Sequence, residues 1–213
     1  MKAIIFDMDG VLVDSEPLHE HAKREALRRA GIDVAQERFA AYTGRTDRAM
    51  IFELAAEQGR SASESDAILL DKRRIFQDLE HSLQPIDGAL PFVRWAHARY
   101  RLALATSATP RHREASLERL GIASLFEVSV DSAQVTEPKP SPEVFQKAVA
   151  QLQLSAEDCW VIEDSVTGIV AAKAAGCFAV GLTTTFSGAV LREAGADLVV
   201  ETFTQLRSRI EAA

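Results

Sequence analysis

From about residue 88 the chain alternates short apolar runs with helical patterns, and this rhythm constrains its fold more than any other feature. Contiguous apolar runs of four or five residues separated by helices describe strands of a parallel sheet buried on both faces. Five such runs stand out when the N-terminal one is included: "KAIIF" (2–6), "LALAT" (102–106), "FEVSV" (126–130), "CWVI" (159–162) and "FAVGL" (178–182), with "DLVV" (197–200) as a candidate short sixth. Helices are expected between them, at 110–121, 141–152 and 165–176, each opening on Ser or Pro or ending near Gly. Residues 15–87 break the rhythm, because Ala, Arg, Glu and Leu recur there at helical spacing with no convincing strand between the pieces. The expected class is therefore α/β, a parallel-sheet core formed by 1–14 and 88–213 with a helical insertion at 15–87. The crossings lie near Asp14–Pro17 and Pro85–Gly88.

With 213 residues and 47% hydrophobic content, the chain can bury the core of one large domain or of a domain with an insertion. A formal charge of −7 argues against nucleic acid, whose phosphates demand a surplus of Lys and Arg. Cys159 and Cys177, the only cysteines, show neither metal spacing nor a disulfide framework and read as buried thiols in a reducing compartment. No apolar run reaches membrane-span length, and Asp7 and Asp9 interrupt any secretory pattern at the N-terminus, so a cytoplasmic location is expected.

Ligands of open parallel α/β sheets bind beyond the carboxyl ends of the strands, which directs attention to the residues that follow each run. In "KAIIFDMDGVLVDSE" Asp7 and Asp9 follow the first strand. Thr106 and Ser107 close the second, and Glu163 and Asp164 close "CWVI" just before Ser165. Lys139, between Pro138 and Pro140, enters a helix headed by Ser141. Each fragment alone has a plain reading: an Asx turn, a strand end, a solvated loop charge, a helix cap. Their joint position at the strand ends of one sheet is what separate accidents would rarely supply. Carboxylates crowded to ~4 Å repel by about 4 kcal/mol per pair at an effective dielectric near 20, so they call for a cation. Hard oxygen ligands suit Mg²⁺, and the metal with Lys139 would neutralise a phosphoryl group whose oxygens Thr106 and main-chain N–H groups bind. One carboxylate is then free to attack phosphorus and form an aspartyl-phosphate, while a neighbour serves as acid and base.

At these positions the chain resembles the haloacid dehalogenase superfamily, in its β-phosphoglucomutase-like phosphatase branch with a helical cap. "DMDGVLVDS", "ATSA", "KPSPEVF" and "IEDSVTGIVAAKAAG" match the four family motifs in order, and the resemblance covers nearly the whole chain. It implies a Rossmann-like core and a helical cap. It also implies Asp7 as nucleophile and Mg²⁺ ligand, and Asp9 as general acid/base that ligates the metal through its carbonyl. Asp164 would complete the metal site, with Glu163 as a second acid at or just behind it. Thr106 and the backbone of Ser107 would bind the phosphoryl oxygens, and Lys139 would stabilise their charge. The superfamily's dehalogenases use a single first-motif acid, so the presence of Asp9 argues for phosphoryl transfer.

Within this resemblance the alternative to a phosphatase is a phosphohexose mutase. Mutases grip a distal phosphate with a cap-loop arginine and a Ser-Lys-Asn-like run past the second motif. Here that run is Ala108, Thr109, Pro110, and Asp47 stands where the arginine would fall, flanked by Arg45 and Arg48. Gly44 and Thr46 of the cap loop "TGRTDRAM" are in place, and Gly44, Arg45 and the cap-hinge His19 are the expected cap contacts to substrate. His19 and His21, two apart on a helix, face different sides and make no transition-metal pair. His21, His81, His97 and His112 read as surface or packing residues, Trp95 and Trp160 as packing aromatics, and Lys72, Arg73 and Arg74 as a solvated face from which Arg74 is the best substrate contact. The expectation is Mg²⁺-dependent hydrolysis of a small phosphorylated metabolite such as a sugar phosphate. The enzyme is expected to be a monomer without nucleic-acid or membrane partners, its turnover gated by hinges near Asp14 and Asp87.

Overall fold

The computed structural model describes residues 1–42 and 46–212. The chain divides into two compact units, one of Met1–Asp14 with Gln84–Ala213 and one of Ser15–Leu83. In chain order the elements are β1 (Ala3–Phe6), β2 (Val13–Asp14), α1 (Glu16–Arg29), α2 (Gln36–Ala40), α3 (Asp47–Glu57), α4 (Ala62–Leu79), β3 (Gln84–Pro85), α5 (Ala89–His97), β4 (Arg101–Ala105) and α6 (Pro110–Leu120). They continue with β5 (Val128–Val130), α7 (Glu143–Gln151), β6 (Cys159–Glu163), α8 (Val166–Ala174), β7 (Phe178–Leu182), α9 (Gly188–Glu193), β8 (Leu198–Val200) and α10 (Phe203–Glu211).

The first unit is a Rossmann-like parallel sheet in the order β5-β4-β1-β6-β7-β8, and the run at 197–200 does supply its sixth strand. β1 is buried on both faces, and its alternate side chains serve two cores. Ala3 and Ile5 join Ala103, Val161, Phe145 and Ile169 on the side of α7 and α8. Phe6 meets Phe92 and Phe126 edge-on at 6.1 and 5.9 Å, and Phe92 packs on Phe203 of α10. The chain starts in the middle of the sheet, builds β4 and β5 to one side, then crosses to β6, β7 and β8 on the other. The carboxyl end of β1 is therefore a topological switch point, where helices depart in opposite directions and leave a crevice.

A short antiparallel ladder, Val13 with Pro85 and Asp14 with Gln84, was not expected from the sequence. It returns the chain to the first unit at Gln84, ahead of Gly88, and two residues per strand are too few to show any periodicity. The second unit has a core of its own from α1, α3 and α4, with Leu27, Met50, Ile51, Leu54, Ile68 and Phe76 buried together. A capping box formed by Ser61 and Glu64 starts α4.

Candidate active site

Asp7 and Thr106 are the first residues past β1 and β4, and each is held by the neighbouring strand. The N–H of Asp7 donates to the Ile162 carbonyl and that of Thr106 to the Val130 carbonyl, both at 3.0 Å. Because Phe6 is in register with Leu104 and Ile162, Asp7, Ala105 and Glu163 lie side by side at the carboxyl edge. Lys139, distant in sequence, reaches the same point. Its Nζ donates to Asp7 Oδ1 at 2.7 Å, to Glu163 Oε1 at 2.6 Å and to the Ala105 carbonyl at 3.2 Å. All three donors of the buried ammonium are thus satisfied.

Glu163 is wholly buried, and its other oxygen is equally engaged. Oε2 accepts from the N–H groups of Asp164 and Ser165, each at 3.1 Å, and from Ser165 Oγ at 2.9 Å. Ser165 also caps α8, accepting from Gly168 N–H at 3.0 Å. This arrangement explains the glycine in "SVTG": a Cβ at Gly168 would lie 1.9 Å from Glu163 Cδ. Gly10 is constrained twice over. Its φ of +74° is left-handed, and a Cβ there would meet Asp164 Oδ2 at 1.9 Å. Asp164 Oδ2 accepts from Thr185 Oγ1, and Thr184 Oγ1 donates to the Gly10 carbonyl. Thr184 and Thr185 escaped the sequence analysis although they follow β7, where the same strand-end rule would have found them.

Carboxylate oxygens of Asp7, Glu163 and Asp164 lie within 4.8 Å of one another, all buried. Three carboxylates against one ammonium leave surplus negative charge in a poorly solvated place. Burial raises Asp7 well above the usual carboxylate range, with Glu163 and Asp164 adding to the effect and Lys139 opposing it. Asp164 is pushed up to about 7, chiefly by burial and then by the Glu163 charge, against the Thr185 hydrogen bond. Burial alone would lower Lys139, but Asp7 and Glu163 outweigh it and hold the ammonium charged. An all-oxygen, net-negative cluster of this kind fits a hard divalent cation such as Mg²⁺. Glu163 lies within reach of such an ion, yet both its oxygens are already engaged by the chain's own donors. Asp7 and Asp164 are the better-disposed ligands.

Thr106 is buried, and its Oγ1 accepts from Ala108 N–H at 3.0 Å, leaving the hydroxyl proton available to a ligand. Ser107 follows it, exposed. Asp9 Oδ1 meets Nε2 of His112 at 3.2 Å. His112 is therefore no surface residue: it is 8% exposed and paired with the first motif, because α6 starts directly after the second. In the second unit His19 stacks on Phe76 at 4.0 Å, and its Nδ1 accepts from Lys72 Nζ at 2.7 Å. Lys72 also pairs with Asp47 at 2.5 Å and is buried, which corrects its reading as part of a solvated face; Arg73 and Arg74 are exposed. Burial lowers the Lys72 pKa, with Asp47 partly restoring it. Gly44 and Arg45 lie outside the described residues.

The order of these motifs along the chain and their convergence at one sheet edge agree with a family profile for haloacid dehalogenase-like hydrolases, which matches residues 1–176. The chain belongs to this family. The phosphorylated carbohydrates phosphatase of Thermotoga maritima is 33% identical over 206 residues, 94% of each chain. The beta-phosphoglucomutase of Bacillus subtilis is 32% identical over 216 residues, 97% of this chain and 92% of that one. Among solved structures, a Thermotoga maritima protein provisionally assigned as a beta-phosphoglucomutase is 32% identical, with TM-score 0.81 over 100% of both chains. Among the described residues, no helix is long and apolar enough to cross a membrane.

Proposed function

We propose that this hydrolase is a Mg²⁺-dependent phosphatase that cleaves a small phosphate monoester, a sugar phosphate or similar metabolite, through an aspartyl-phosphate on Asp7. The observation that carries the reading is the ammonium of Lys139 held between Asp7 Oδ1 and Glu163 Oε1 at the switch point of the sheet. It fixes the rotamer of Asp7 and puts a permanent positive charge where phosphoryl oxygens would gather. Asp7 attacks phosphorus as the bond to the leaving oxygen breaks, and Asp9 gives its proton to that oxygen. Water then loses a proton to Asp9, attacks phosphorus and releases phosphate, which regenerates Asp7. Thr106 Oγ1 and the Ser107 N–H bind the transferring group. Asp7, Asp164 and the Asp9 carbonyl would hold Mg²⁺, which when bound supplies charge neutralisation to the carboxylates and the phosphoryl group. Glu163 belongs with Lys139 as its anchor, behind the metal ligands.

The mutase reading has the Bacillus relative in its favour. Against it stands Asp47, which occupies the place of the expected arginine and, instead of adding a cation to the cap, cancels the charge of Lys72. Without an anchor for a second phosphate, water should take the phosphoryl group. The test offers the enzyme β-glucose 1-phosphate with a bisphosphate primer, alongside a phosphate-release screen of sugar phosphates with and without Mg²⁺. Free phosphate dependent on Mg²⁺ supports the proposal, and glucose 6-phosphate as the main product overturns it. Asp7→Asn should remain folded and lose hydrolysis; near-normal turnover in that variant removes Asp7 from the nucleophile role.

A further inference from the structure

We propose that the turn after β7 positions the metal ligand Asp164: Thr185 orients its carboxylate, and Thr184 fixes the first-motif loop against which that carboxylate packs. The inference rests on Asp164 being a Mg²⁺ ligand, as in the preceding reading.

Both contacts join the turn to residues far away in the chain. Thr185 Oγ1 donates to Asp164 Oδ2, 21 residues earlier, and Thr184 Oγ1 donates to the Gly10 carbonyl, 174 residues earlier. The turn is mounted firmly enough to serve as a reference. At its start the N–H of Thr183 donates to the Val200 carbonyl at 3.0 Å, which carries the β7–β8 ladder one step past Leu182. At its end Phe186 packs against the buried cluster that includes Val161, Ile169 and Leu191. Two adjacent hydroxyls between these anchors thus reach two different motifs. The strand order makes this possible, because β7 lies beside β6 and the residues past both strands share one edge.

Asp164 follows β6 and is 5% exposed. A carboxylate turns about two side-chain torsions unless its surroundings stop it, and that freedom is what a ligand loses when it takes an ion. Here the surroundings stop it on two sides. A Cβ at Gly10 would meet Asp164 Oδ2 at 1.9 Å and Thr185 Oγ1 at 3.1 Å, so the glycine backbone, the carboxylate and the hydroxyl pack around one point. A carboxylate has about four acceptor positions and the hydroxyl takes one, so Asp164 stays competent to ligate. The ordering cost of the ligand is met when the chain folds and not when the ion binds, which is how a supporting hydrogen bond strengthens a metal site. Thr184 and Thr185 are positioning residues in this account, acting through Gly10 and Asp164.

Binding of Mg²⁺ alone, without substrate, tests this. Isothermal titration calorimetry at pH 8 reads Kd, and the Mg²⁺-induced rise in Tm reads it independently. Thr185→Val keeps the side-chain shape but removes the donor, and should raise Kd about tenfold, the lower end of the ~10–100-fold that changes behind a metal ligand cost. Thr185→Ser, which restores a hydroxyl, should bring Kd back to within about threefold of the parent. Thr184→Val should raise Kd by at least about threefold. In EDTA all three variants should unfold near the parental temperature, since both threonines are exposed. A parental Kd in either valine variant, or no recovery in Thr185→Ser, overturns the inference. A fall in Tm in EDTA with Kd unchanged, or failure of both Thr185 variants to fold, makes the contacts structural and overturns it too. Asp164→Asn separates this inference from the reading beneath it. Loss of Mg²⁺ binding in Asp164→Asn beside a parental Kd in Thr185→Val removes the positioning role and leaves the ligand in place. Parental Mg²⁺ binding in Asp164→Asn, or a parent that does not bind Mg²⁺, removes both.

Discussion

Gly168 carries the tightest steric constraint around the site, and its replacement by alanine makes a quantitative test of how Glu163 is held. The residue is helical and has no left-handed φ, so Gly→Ala would ordinarily stabilise the chain by roughly 0.5–1 kcal/mol. Here the added methyl group would sit 1.9 Å from both Cδ and Oε1 of Glu163 and 2.1 Å from Oε2. The carboxylate is wholly buried, so it can yield only by leaving Lys139 at 2.6 Å and the three donors from Asp164 and Ser165. Hydrogen bonds contribute about 1 kcal/mol net each, and about 1.5–3 where a partner is charged. Losing even two of the four and gaining the helix propensity still leaves a net destabilisation of about 3 kcal/mol. Urea unfolding should show the midpoint falling with the slope unchanged, and turnover should fall too because Lys139 loses its anchor. In a Glu163→Ala background the same substitution should be neutral or stabilising, so the double-mutant cycle should return a coupling energy of about 3 kcal/mol. A Gly168→Ala protein within about 0.5 kcal/mol of the parent, or an equal cost in both backgrounds, would refute the account of how Glu163 is fixed.

Two further outcomes follow from the buried charges. Asp164 has its pKa pushed from 3.8 up to about 7, so the stability carried by its protonated form is complete below about 4 and is lost as pH rises through about 7. Mg²⁺ competes with that proton, so thermal melts should show a larger metal-induced rise in Tm at pH 8 than at pH 5.5; equal rises would contradict the assignment of Asp164 as a ligand. Lys139→Met strands two buried carboxylates and should cost about 3–5 kcal/mol in urea unfolding. That cost should shrink as pH falls, because burial already raises the Asp7 carboxyl and favours its neutral form, and a pH-independent loss would mean that packing, not charge, is what Lys139 supplies.

The parallel core was legible because strands buried on both faces must be contiguous apolar runs, and all six runs became strands to within two residues at either end. The site was legible in part. Asp7, Thr106, Glu163 and Asp164 were placed by the rule that residues after parallel strands share one edge, and the sheet brings them there with Lys139. Lys72 was misread because a charged residue on an amphipathic helix ordinarily faces water, and only the packing of α1, α3 and α4 reveals that Asp47 and His19 receive it. His112 is buried, in keeping with the packing alternative of its reading, but its pairing with Asp9 went unforeseen because nothing local to α6 announces a partner in the first motif.

The sequence by itself determined the kind of sheet, the helical insertion and the chemistry gathered at the strand ends, because apolar periodicity and residue type are local properties of the chain. Tertiary structure decided which atoms share which charge. It gave Glu163 to Lys139 rather than leaving it open, set Thr185 on Asp164 and brought His112 to Asp9. Those partnerships depend on separations of about 3 Å between residues far apart in the chain. Strand order and helix packing set such separations, and neither is written in the spacing of residues along the sequence.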